Sequence, residues 1–328
     1  MDVTILREDE IRACVGMDDD ALKAVAEGFT RLAEGRAFAP PVICIEVADH
    51  NGEVDVKTAY IEGLDSFAVK IASGFFDNPK RGLPYGSGMM VLMSAETGFL
   101  KALLLDNGYL TELRTGIAGA VAADRLARRD LDTVGVIGSG SQARWQLRGL
   151  KLVRDVRLVH VYGIIADEVQ AYAEEMEREL GVTVTISPTA EGVVRQCDLV
   201  VTTTPSREPF VEPQWLHRGL HITAMGSDTD YKQELYADCL GKADLVVCDR
   251  LAQCRLIGET HHALDDGLIE EAAVVELGQV TAGLHPGRTS DQEITICDLT
   301  GVGVQDTAIA RLAYARAVER GLGTTFAS

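Results

Sequence analysis

The sequence predicts an α/β fold in which a doubly wound parallel sheet is joined to a smaller α+β unit. Three observations support this class. An uncharged, mostly apolar run, Thr133–Ile137, leads directly into a glycine-rich turn and then a helical pattern. From there to Cys248, strand segments alternate with helical segments, which is typical of parallel sheets. The first hundred residues instead contain successive strand patterns separated by turns, which is typical of antiparallel pairing.

The N-terminal part is expected to form short strands and one long helix. Asp18 or Asp19 can cap a helix whose apolar residues recur at helical spacing from Leu22 to Leu32. Residues 74–88 contain glycine and proline and predict a long loop. A helix of small residues is predicted at 117–126, directly after the segment Thr-Glu-Leu-Arg-Thr-Gly at 111–116. Strands are predicted at 3–6, 42–47, 54–60, 67–73, 89–93 and 99–105.

The turn Gly138-Ser139-Gly140-Ser141-Gln142-Ala143 has the G-x-G-x-x-A form of a dinucleotide-binding fingerprint. Gly138 permits the tight turn, Gly140 lets a pyrophosphate approach the backbone, and Ala143 lets helix and strand pack closely. The helix at 141–153 directs its N-terminal amides toward the anion. A structural strand-to-helix turn is the alternative interpretation. Later strands are predicted at 156–162, 183–186, 199–203, 221–224, 245–248 and 294–297, and a last helix at 304–319.

Composition excludes several classes of partner. A formal net charge of −19 over 328 residues argues against nucleic acid and anionic membrane surfaces. The seven cysteines lack metal-site spacing and are expected to be reduced thiols, and nothing groups the histidines with carboxylates as metal ligands. No signal peptide and no membrane-spanning apolar run is visible, so a cytoplasmic protein is expected.

Polar residues after the predicted strands are candidates for chemistry, because ligands bind beyond the carboxyl ends of parallel strands. Thr204 and Ser206 follow one strand, where they can contact a dinucleotide or simply form a turn. Asp228 follows the next strand, where an acid faces the nicotinamide half of a bound cofactor. A cap for a helix beginning near Lys232 is the alternative for Asp228.

Three cations stand out in the N-terminal part. Lys70 interrupts a strand of apolar neighbours, although lysine is rarely buried without a partner, and a lysine that keeps its amine in water is the alternative. Arg114, between Leu113 and a Thr-Gly step, can clamp a carboxylate in two bonds or form a surface ion pair. For Lys57 a functional and a structural role are equally open.

Taken together, these residues resemble the ornithine cyclodeaminase/mu-crystallin family over nearly the whole chain. The Glu-Leu-Arg-Thr-Gly step followed by the Gly-Ser-Gly-x-Gln-Ala turn is specific in that order. The resemblance implies a Rossmann-type nucleotide domain at 116–303. It also implies a substrate-binding and dimerisation domain at 1–115, completed by a C-terminal helix at 304–328. The segments that carry the resemblance are 69–70, 112–116, 138–143, 202–206, 226–228, 232–235 and 303–306.

The resemblance also implies roles for single residues. Lys70 and Asp228 resemble the catalytic pair of the family, and Arg114 resembles its clamp on the substrate α-carboxylate. Apart from the resemblance, Lys57 is a further candidate for substrate binding. Two departures concern the substrate: Val42 follows the double proline where an arginine is common, and residues 226–235 lack the Cys-Pro-Gly-Lys-Thr pattern of ornithine cyclodeaminases. Thr115 and the turn 138–143 match cofactor contacts of the family. The full set of residues predicted to contact the cofactor is Thr115, Gly138, Ser139, Gly140, Ser141, Gln142, Ala143, Thr203, Thr204, Ser206 and Gly303.

The predicted function is NAD(H)-dependent reduction of a 2-imino acid by a homodimer, with iminosuccinate to L-aspartate as the sharpest candidate. The alternatives are an ornithine cyclodeaminase, an alanine-dehydrogenase-like enzyme and a non-catalytic binder of the mu-crystallin kind. NADH is predicted over NADPH, because residues 162–167, expected beside the adenosine ribose, contain no lysine or arginine for a 2′-phosphate. Gly163, however, replaces the acid that would select NADH positively.

Overall fold

A computed structural model describes residues 2–327 of the chain. The chain divides into two compact units, one formed by Met1–Arg114 with Val302–Ser328 and the other by Thr115–Gly301. The terminal residues Met1 and Ser328 lie outside the described part. Within residues 2–327, none of the helices combines the length and the apolar character that crossing a membrane requires.

The elements follow one another in three blocks. Strands dominate the first block, which contains β1 (Asp2–Arg7), α1 (Glu8–Cys14), α2 (Asp19–Ala33), β2 (Ala37–Phe38), β3 (Ile43–Val47), β4 (Gly52–Ile61), β5 (Ser66–Phe75), β6 (Gly86–Ser94), β7 (Leu100–Leu105) and α3 (Tyr109–Leu126). Strands and helices then alternate through β8 (Thr133–Ile137), α4 (Ser141–Val153), β9 (Leu158–Tyr162), α5 (Ala166–Leu180), β10 (Thr183–Ile186), α6 (Ala190–Gln196), β11 (Leu199–Thr202), β12 (His221–Ala224), α7 (Ala237–Lys242), β13 (Leu245–Cys248), α8 (Leu251–Cys254), α9 (Thr260–Asp265), β14 (Val274–Glu276), α10 (Leu277–Thr281) and β15 (Thr295–Asp298). The chain closes with α11 (Gly303–Glu319) and β16 (Thr324–Ala327).

A mixed sheet organises the first unit. Its strand order is β16-β1-β7-β6-β5-β4-β2, and β3 also pairs with β4. Strands β3 to β7 pair antiparallel along the chain, whereas β1 runs parallel to β7. Directly paired residues of such a sheet point to the same face. Strands β4, β5 and β6 therefore place Lys57, Lys70 and Met90, which are register partners, on one face.

Helix α11 packs across this sheet. It contacts β4, β5 and α2. Its start approaches β4 so closely that a Cβ on Gly303 would lie 2.2 Å from the Thr58 carbonyl oxygen, which only glycine avoids. Thr307 then anchors the helix, because its hydroxyl donates to the Ala59 carbonyl and accepts from the Ala68 amide. These contacts fix the first turn of α11 over β4 and β5.

A parallel sheet organises the second unit. Its order is β10-β9-β8-β11-β12-β15-β13-β14, and every neighbouring pair is parallel. Strands β9 and β10 extend to one side of β8, whereas β11 and β12 extend to the other. The strand order thus reverses between β8 and β11, and such a switch point is where open α/β sheets bind ligands. The predicted fold class is confirmed.

The central strands of the parallel sheet are buried on both faces. β11, β12 and β15 are buried at every residue, as expected for strands covered by helices. Along β8, Val136 packs in an apolar cluster with Leu147 and Tyr172, while Ile137 packs in another with Val200. Adjacent residues of one strand therefore fill cores on opposite faces of the sheet.

Some element boundaries differ from those predicted. Helix α3 begins at Tyr109, well before residue 117, because the Asp106 carboxylate accepts the Leu110 amide and caps the helix. Arg114 therefore lies inside a helix and not at its start. The predicted loop at 74–88 is shorter, because β5 reaches Phe75 and β6 begins at Gly86. The elements without a counterpart among those predicted are the helices α1, α8, α9 and α10 and the strands β2, β14 and β16.

Candidate active site

Lys70 lies in the middle of β5 and is buried. It is 2% exposed, and its partner across the strand pair, Lys57, is 6% exposed. Like charges directly opposite each other destabilise a strand pair, and burial adds the cost of removing each charge from water. The alternative of a Lys70 amine held in water does not describe this side chain.

Burial lowers the pKa of Lys70 to about 7. Four charged neighbours act on it as well: Asp306 and Asp55 raise this pKa, whereas Arg114 and Lys57 lower it by repulsion. A pKa near neutrality lets an amine both give and accept a proton under ordinary conditions, as general acid–base catalysis requires.

Arg114 projects from the second turn of α3 and is 5% exposed. One terminal nitrogen, Nη1, donates to Gln305 Oε1 over 2.7 Å. The Nε atom lies 3.1 Å from Asp306 Oδ1 without the alignment of a hydrogen bond, so this is an ion contact. The ion pair of Arg114 is therefore buried, not at the surface.

Asp306 joins the two cations from the first turn of α11 and is 0% exposed. Its Oδ2 lies 3.9 Å from Lys70 Nζ, while its Oδ1 faces Arg114. A carboxylate in the first turn is also favoured by the positive end of the helix dipole. Asp306 has no predicted role, although an acid in the otherwise uncharged start of this helix is a visible signal in the sequence.

We call Lys57, Lys70 and Arg114 the three-cation cluster, with Asp306 as its bridging carboxylate. The structure thus brings three predicted site residues together in the first unit, on β4, β5 and α3. The arginine fork can hold a carboxylate, and the lysine can exchange a proton with a nearby nitrogen or oxygen.

The glycine-rich turn follows β8 in the second unit. Gly138 has a φ of +113°, and a Cβ there would lie 2.5 Å from Thr203 Oγ1. Nothing lies within 4 Å of the position a Cβ would take on Gly140, at the start of α4. The turn therefore leaves room at Gly140 for a ligand, and the N-terminus of α4 suits a phosphate. These residues fit the pyrophosphate of a dinucleotide.

Arg144, which has no predicted role, holds this turn. Its Nη1 donates to the carbonyls of Ser139 and Gly140, at 2.5 and 3.0 Å, and its Nε donates to Glu175 at 2.7 Å. The guanidinium thereby neutralises two carbonyl oxygens that would repel an anion.

The other predicted contacts around the turn differ in their surroundings. Ser141 is exposed at the start of α4, whereas Ala143 is buried. The Gln142 side chain accepts from Gln146 Nε2, which also donates to the Thr115 carbonyl. Thr115 and the turn are thus linked within the second unit.

A buried carboxylate, Glu234, shapes the loops at the ends of β11 and β12. It accepts from the Thr202 hydroxyl at 2.6 Å, from the Thr204 amide and hydroxyl at 2.6 and 2.7 Å, and from the Gly226 amide at 2.8 Å. Burial raises the pKa of Glu234, while these hydrogen bonds lower it. Glu234 lies in the segment 232–235 that carries the family resemblance, but its role here could not be predicted, because its four donors come from the end of β11 and from two loops.

The hydroxyls predicted to contact a cofactor make internal hydrogen bonds. Thr203 Oγ1 donates to the Ile137 carbonyl, and Ser206 Oγ donates to the Glu208 carbonyl. Thr204 is bonded to Glu234. These hydroxyls therefore stabilise their own loops by hydrogen bonding, and their contact with a cofactor stays a prediction.

Asp228 lies in a loop after β12, and the next helix begins only at Ala237. The alternative of a helix cap near Lys232 is therefore wrong. Lys232, which is buried, donates to Asp228 Oδ1 over 2.6 Å, and Ser227 Oγ donates to the Lys232 carbonyl. Asp228 belongs to the second unit and Lys70 to the first, so their catalytic pairing stays a prediction. The cofactor role of Gly303, in the first unit, also stays a prediction.

Histidine, cysteine and carboxylate side chains do not assemble a metal site in the part of the chain that the structure describes. No group of three or more of them within residues 2–327 is placed to hold an ion. The Asp306 carboxylate faces cations instead.

Comparison with known proteins decides the family. The sequence model of the ornithine cyclodeaminase/mu-crystallin family matches residues 1–321 of this chain. The chain belongs to this family. The resemblance carried by the segments around Lys70, Arg114 and the glycine-rich turn is thereby confirmed.

Proteins named for different activities are similar to this chain. A Sinorhizobium fredii protein named an uncharacterized cyclodeaminase is 49% identical over 326 residues, 99% of this chain and 98% of that protein. An archaeal alanine dehydrogenase dimer with bound NAD is 37% identical, with a TM-score of 0.92 over 100% of this chain and 99% of that one. The iminosuccinate reductase of Paracoccus denitrificans in complex with NAD+ is 29% identical, with a TM-score of 0.91 over 100% of both chains. Substrate choice therefore varies on one shared fold.

Proposed function

We propose that the chain is an NAD(H)-dependent enzyme that reduces a 2-imino acid to an amino acid. The observation that carries this proposal is the buried arrangement of Lys70, Arg114 and Asp306. A binder of an apolar ligand gains nothing from burying two cations, whereas an imino acid offers a carboxylate and a nitrogen to them. Relatives named alanine dehydrogenase and iminosuccinate reductase, with NAD or NAD+ bound, support the proposal.

Each residue has a distinct part in the proposed reaction. Arg114 holds the substrate carboxylate with its planar fork. Lys70, with a pKa of about 7, and Asp228 hold and move the proton at the substrate nitrogen. Holding the imino acid in one orientation supplies a large part of the rate.

The second unit is proposed to bind the cofactor at the turn 138–143, where Gly140 leaves space and α4 directs its amides. Bound NADH would supply a hydride to the imine carbon. The balanced reaction is 2-imino acid plus NADH plus H+ giving amino acid plus NAD+. The chain contributes binding, orientation and the proton.

Within this class we propose iminosuccinate, which gives L-aspartate, as the substrate. Lys57 supports a dicarboxylate, because it places another buried cation directly opposite Lys70. Arg114 would hold the α-carboxylate and Lys57 the distal one. The Lys57→Met variant should therefore lose more activity on the dicarboxylate than on the imine of pyruvate.

The test is a substrate panel with purified protein. NADH oxidation is followed with ammonium and oxaloacetate, pyruvate or longer 2-oxo acids, and ornithine is offered with NAD+. We expect the largest kcat/KM with oxaloacetate and ammonium. Production of proline and ammonia from ornithine, without NADH oxidation in the panel, would instead establish the cyclodeaminase alternative. A folded protein that binds nucleotide and turns over none of these substrates would support a non-catalytic binder.

We also propose a homodimer formed through the first unit. The archaeal alanine dehydrogenase relative is described as a dimer. In this chain, Ile43 and Ile45 on β3 and Tyr60 on β4 are exposed, and exposed apolar side chains on a sheet are candidates for an interface. Ile45→Glu should give a monomer in light scattering, whereas the exposed Ile164→Glu should leave the dimer intact. The cytoplasmic location stays a prediction.

A further inference from the structure

The bridging carboxylate makes few of the contacts that a structural acid usually makes. Asp306 is fully buried, yet neither of its oxygens accepts a hydrogen bond from the described residues. Its contacts at ion-pair distance are Lys70 Nζ at 3.9 Å and Arg114 Nε at 3.1 Å. A buried carboxylate without hydrogen bonds is costly, so its retention between two cations indicates an electrostatic role.

The neighbouring residue performs the structural task at this point of α11. Thr307 is also fully buried, and its hydroxyl bonds the Ala59 carbonyl and the Ala68 amide. Thr307 thus fixes the helix to β4 and β5 without carrying charge. Asp306 therefore supplies the charge and the adjacent Thr307 anchors the helix. Substitutions at these two positions form a matched pair for experiment.

We propose that Asp306 is a positioning residue of the reaction, which holds the Lys70 amine and the Arg114 guanidinium in one geometry for the two ends of a 2-imino acid. This inference rests on the proposed function. Gln305 completes the arrangement, because its Oε1 accepts from Arg114 Nη1 at 2.7 Å and so fixes the guanidinium from a second side.

The same contact favours the charged form of the Lys70 amine, because Asp306 raises the pKa of Lys70 against the effect of burial. The groups that face Lys70 are Asp306 from α11, Arg114 from α3, and Lys57 and Asp55 from β4. Burial, Arg114 and Lys57 all favour the neutral amine. Asp306 and Asp55 oppose them, so removing the Asp306 charge shifts the balance toward the neutral form.

The experiment compares Asp306→Asn with Thr307→Val and the wild type, each as the full chain. The first readout is kcat/KM for the best imino-acid substrate against pH. The limb of the kcat/KM–pH profile that reflects ionisation of Lys70 should move to lower pH by about one unit or more in Asp306→Asn. The KM of this variant should also rise. Thr307→Val should lower stability but leave that limb in place. Asp306→Glu should restore part of the wild-type profile, because it keeps the charge.

The second readout needs no activity. The 13Cε NMR signal of Lys70 is assigned by its loss in Lys70→Met. Its pH titration gives the midpoint for the Lys70 amine in the wild type, in Asp306→Asn and in Thr307→Val. A lower midpoint in Asp306→Asn alone supports the bridging role. An unchanged midpoint together with an unchanged kcat/KM profile would overturn it. If no imino acid is turned over by the wild type but the midpoint still shifts, the proposed function fails while the electrostatic bridge stands.

Discussion

At the scale of single residues, the first unit holds two buried cations, Lys70 and Arg114, in contact with the Asp306 carboxylate, and a third, Lys57, directly opposite Lys70. Repulsion within the three-cation cluster and the loss of hydration both cost free energy. Asp306 offsets part of that cost by contact with two of its members. Such local instability is typical of sites where charge is needed for chemistry.

The proposed catalytic pair can be tested by substitution. Lys70→Ala and Asp228→Asn should each lower kcat by about a hundred- to ten-thousand-fold, because each removes a group assigned to proton transfer. NADH affinity should change little, since neither residue belongs to the turn 138–143. Stopped-flow turnover and fluorescence titration of NADH measure the two effects separately. Wild-type turnover in either variant would remove that residue from the mechanism.

The buried amine also predicts how stability depends on pH. Lys70 has a pKa of about 7 in the folded chain against 10.5 for an ordinary lysine. Between these values the folded state binds fewer protons than the unfolded state. The free energy of unfolding of the wild type should therefore rise with pH, relative to Lys70→Met, by up to about 1.4 kcal/mol per unit.

Urea denaturation at several pH values between neutrality and the ordinary lysine pKa measures this difference. The exposed Lys80 provides the control, because Lys80→Met removes a charge from the same unit without removing a buried one. A pH-independent difference between wild type and Lys70→Met would show that the Lys70 amine titrates normally.

The arginine clamp predicts that a conservative change fails. Arg114→Lys keeps the charge but replaces a planar fork with a point charge, and it also removes the Nη1 contact to Gln305. We expect a higher KM and a kcat/KM lower by about tenfold or more, equivalent to about 1.4 kcal/mol. The control is Arg36→Lys, at a surface ion pair with Glu62, which should behave as the wild type. Unchanged substrate kinetics in Arg114→Lys would make Arg114 a structural residue.

At the scale of elements, the turn between β8 and α4 contains two glycines with different roles. Gly138 is required by its own backbone, since its φ is +113° and a side chain would meet Thr203. Gly140 has a φ of −80° and open space around it, so its backbone would accept a side chain. A single motif therefore contains a glycine that the fold needs and a glycine that the ligand needs.

This distinction gives a paired prediction. Gly138→Ala should destabilise the second unit by about 1–3 kcal/mol, because it forces a strained φ and a steric overlap. Gly140→Ala should leave thermal unfolding nearly unchanged and weaken NADH binding, because the methyl group occupies the pyrophosphate position. Differential scanning calorimetry and NADH titration report the two effects. Equal losses of stability in both variants would contradict the assignment of Gly140 to the ligand.

At the scale of the whole molecule, the strongly acidic chain predicts which nicotinamide cofactor it prefers. Gly163 follows β9, and its absent Cβ would lie 3.3 Å from Ser139 Oγ, while Ile164 is 90% exposed. The next helix, α5, begins at Ala166 and has Asp167 and Glu168 in its first turn. A 2′-phosphate would add about two negative charges beside these acids.

We therefore expect kcat/KM to favour NADH over NADPH with any accepted substrate. Replacing Ile164 with arginine should lower the ratio of kcat/KM for NADH to kcat/KM for NADPH, because a guanidinium can pair with the 2′-phosphate. The matched control is Ile164→Gln, which adds a polar group without charge. A tenfold preference of the wild type for NADPH, about 1.4 kcal/mol, would contradict this prediction and indicate a basic contact from elsewhere in the chain.

Local patterns in the sequence were sufficient for the fold class and for the glycine-rich turn. The alternation of strands and helices after Thr133 and the G-x-G-x-x-A spacing are properties of adjacent residues, so they can be read without knowing the packing. The Asp106 cap is also a local signal, and it explains why α3 begins earlier than the pattern of small residues predicts.

Packing decided the rest of the candidate site. Lys57 and Lys70 face each other only because β4 and β5 pair in one register, and Asp306 reaches Lys70 and Arg114 only because Gly303 and Thr307 fix α11 over those strands. Glu234 likewise meets donors from two separate loops. Ion contacts between residues far apart in the chain depend on register and helix placement, which side-chain periodicity along the sequence does not encode.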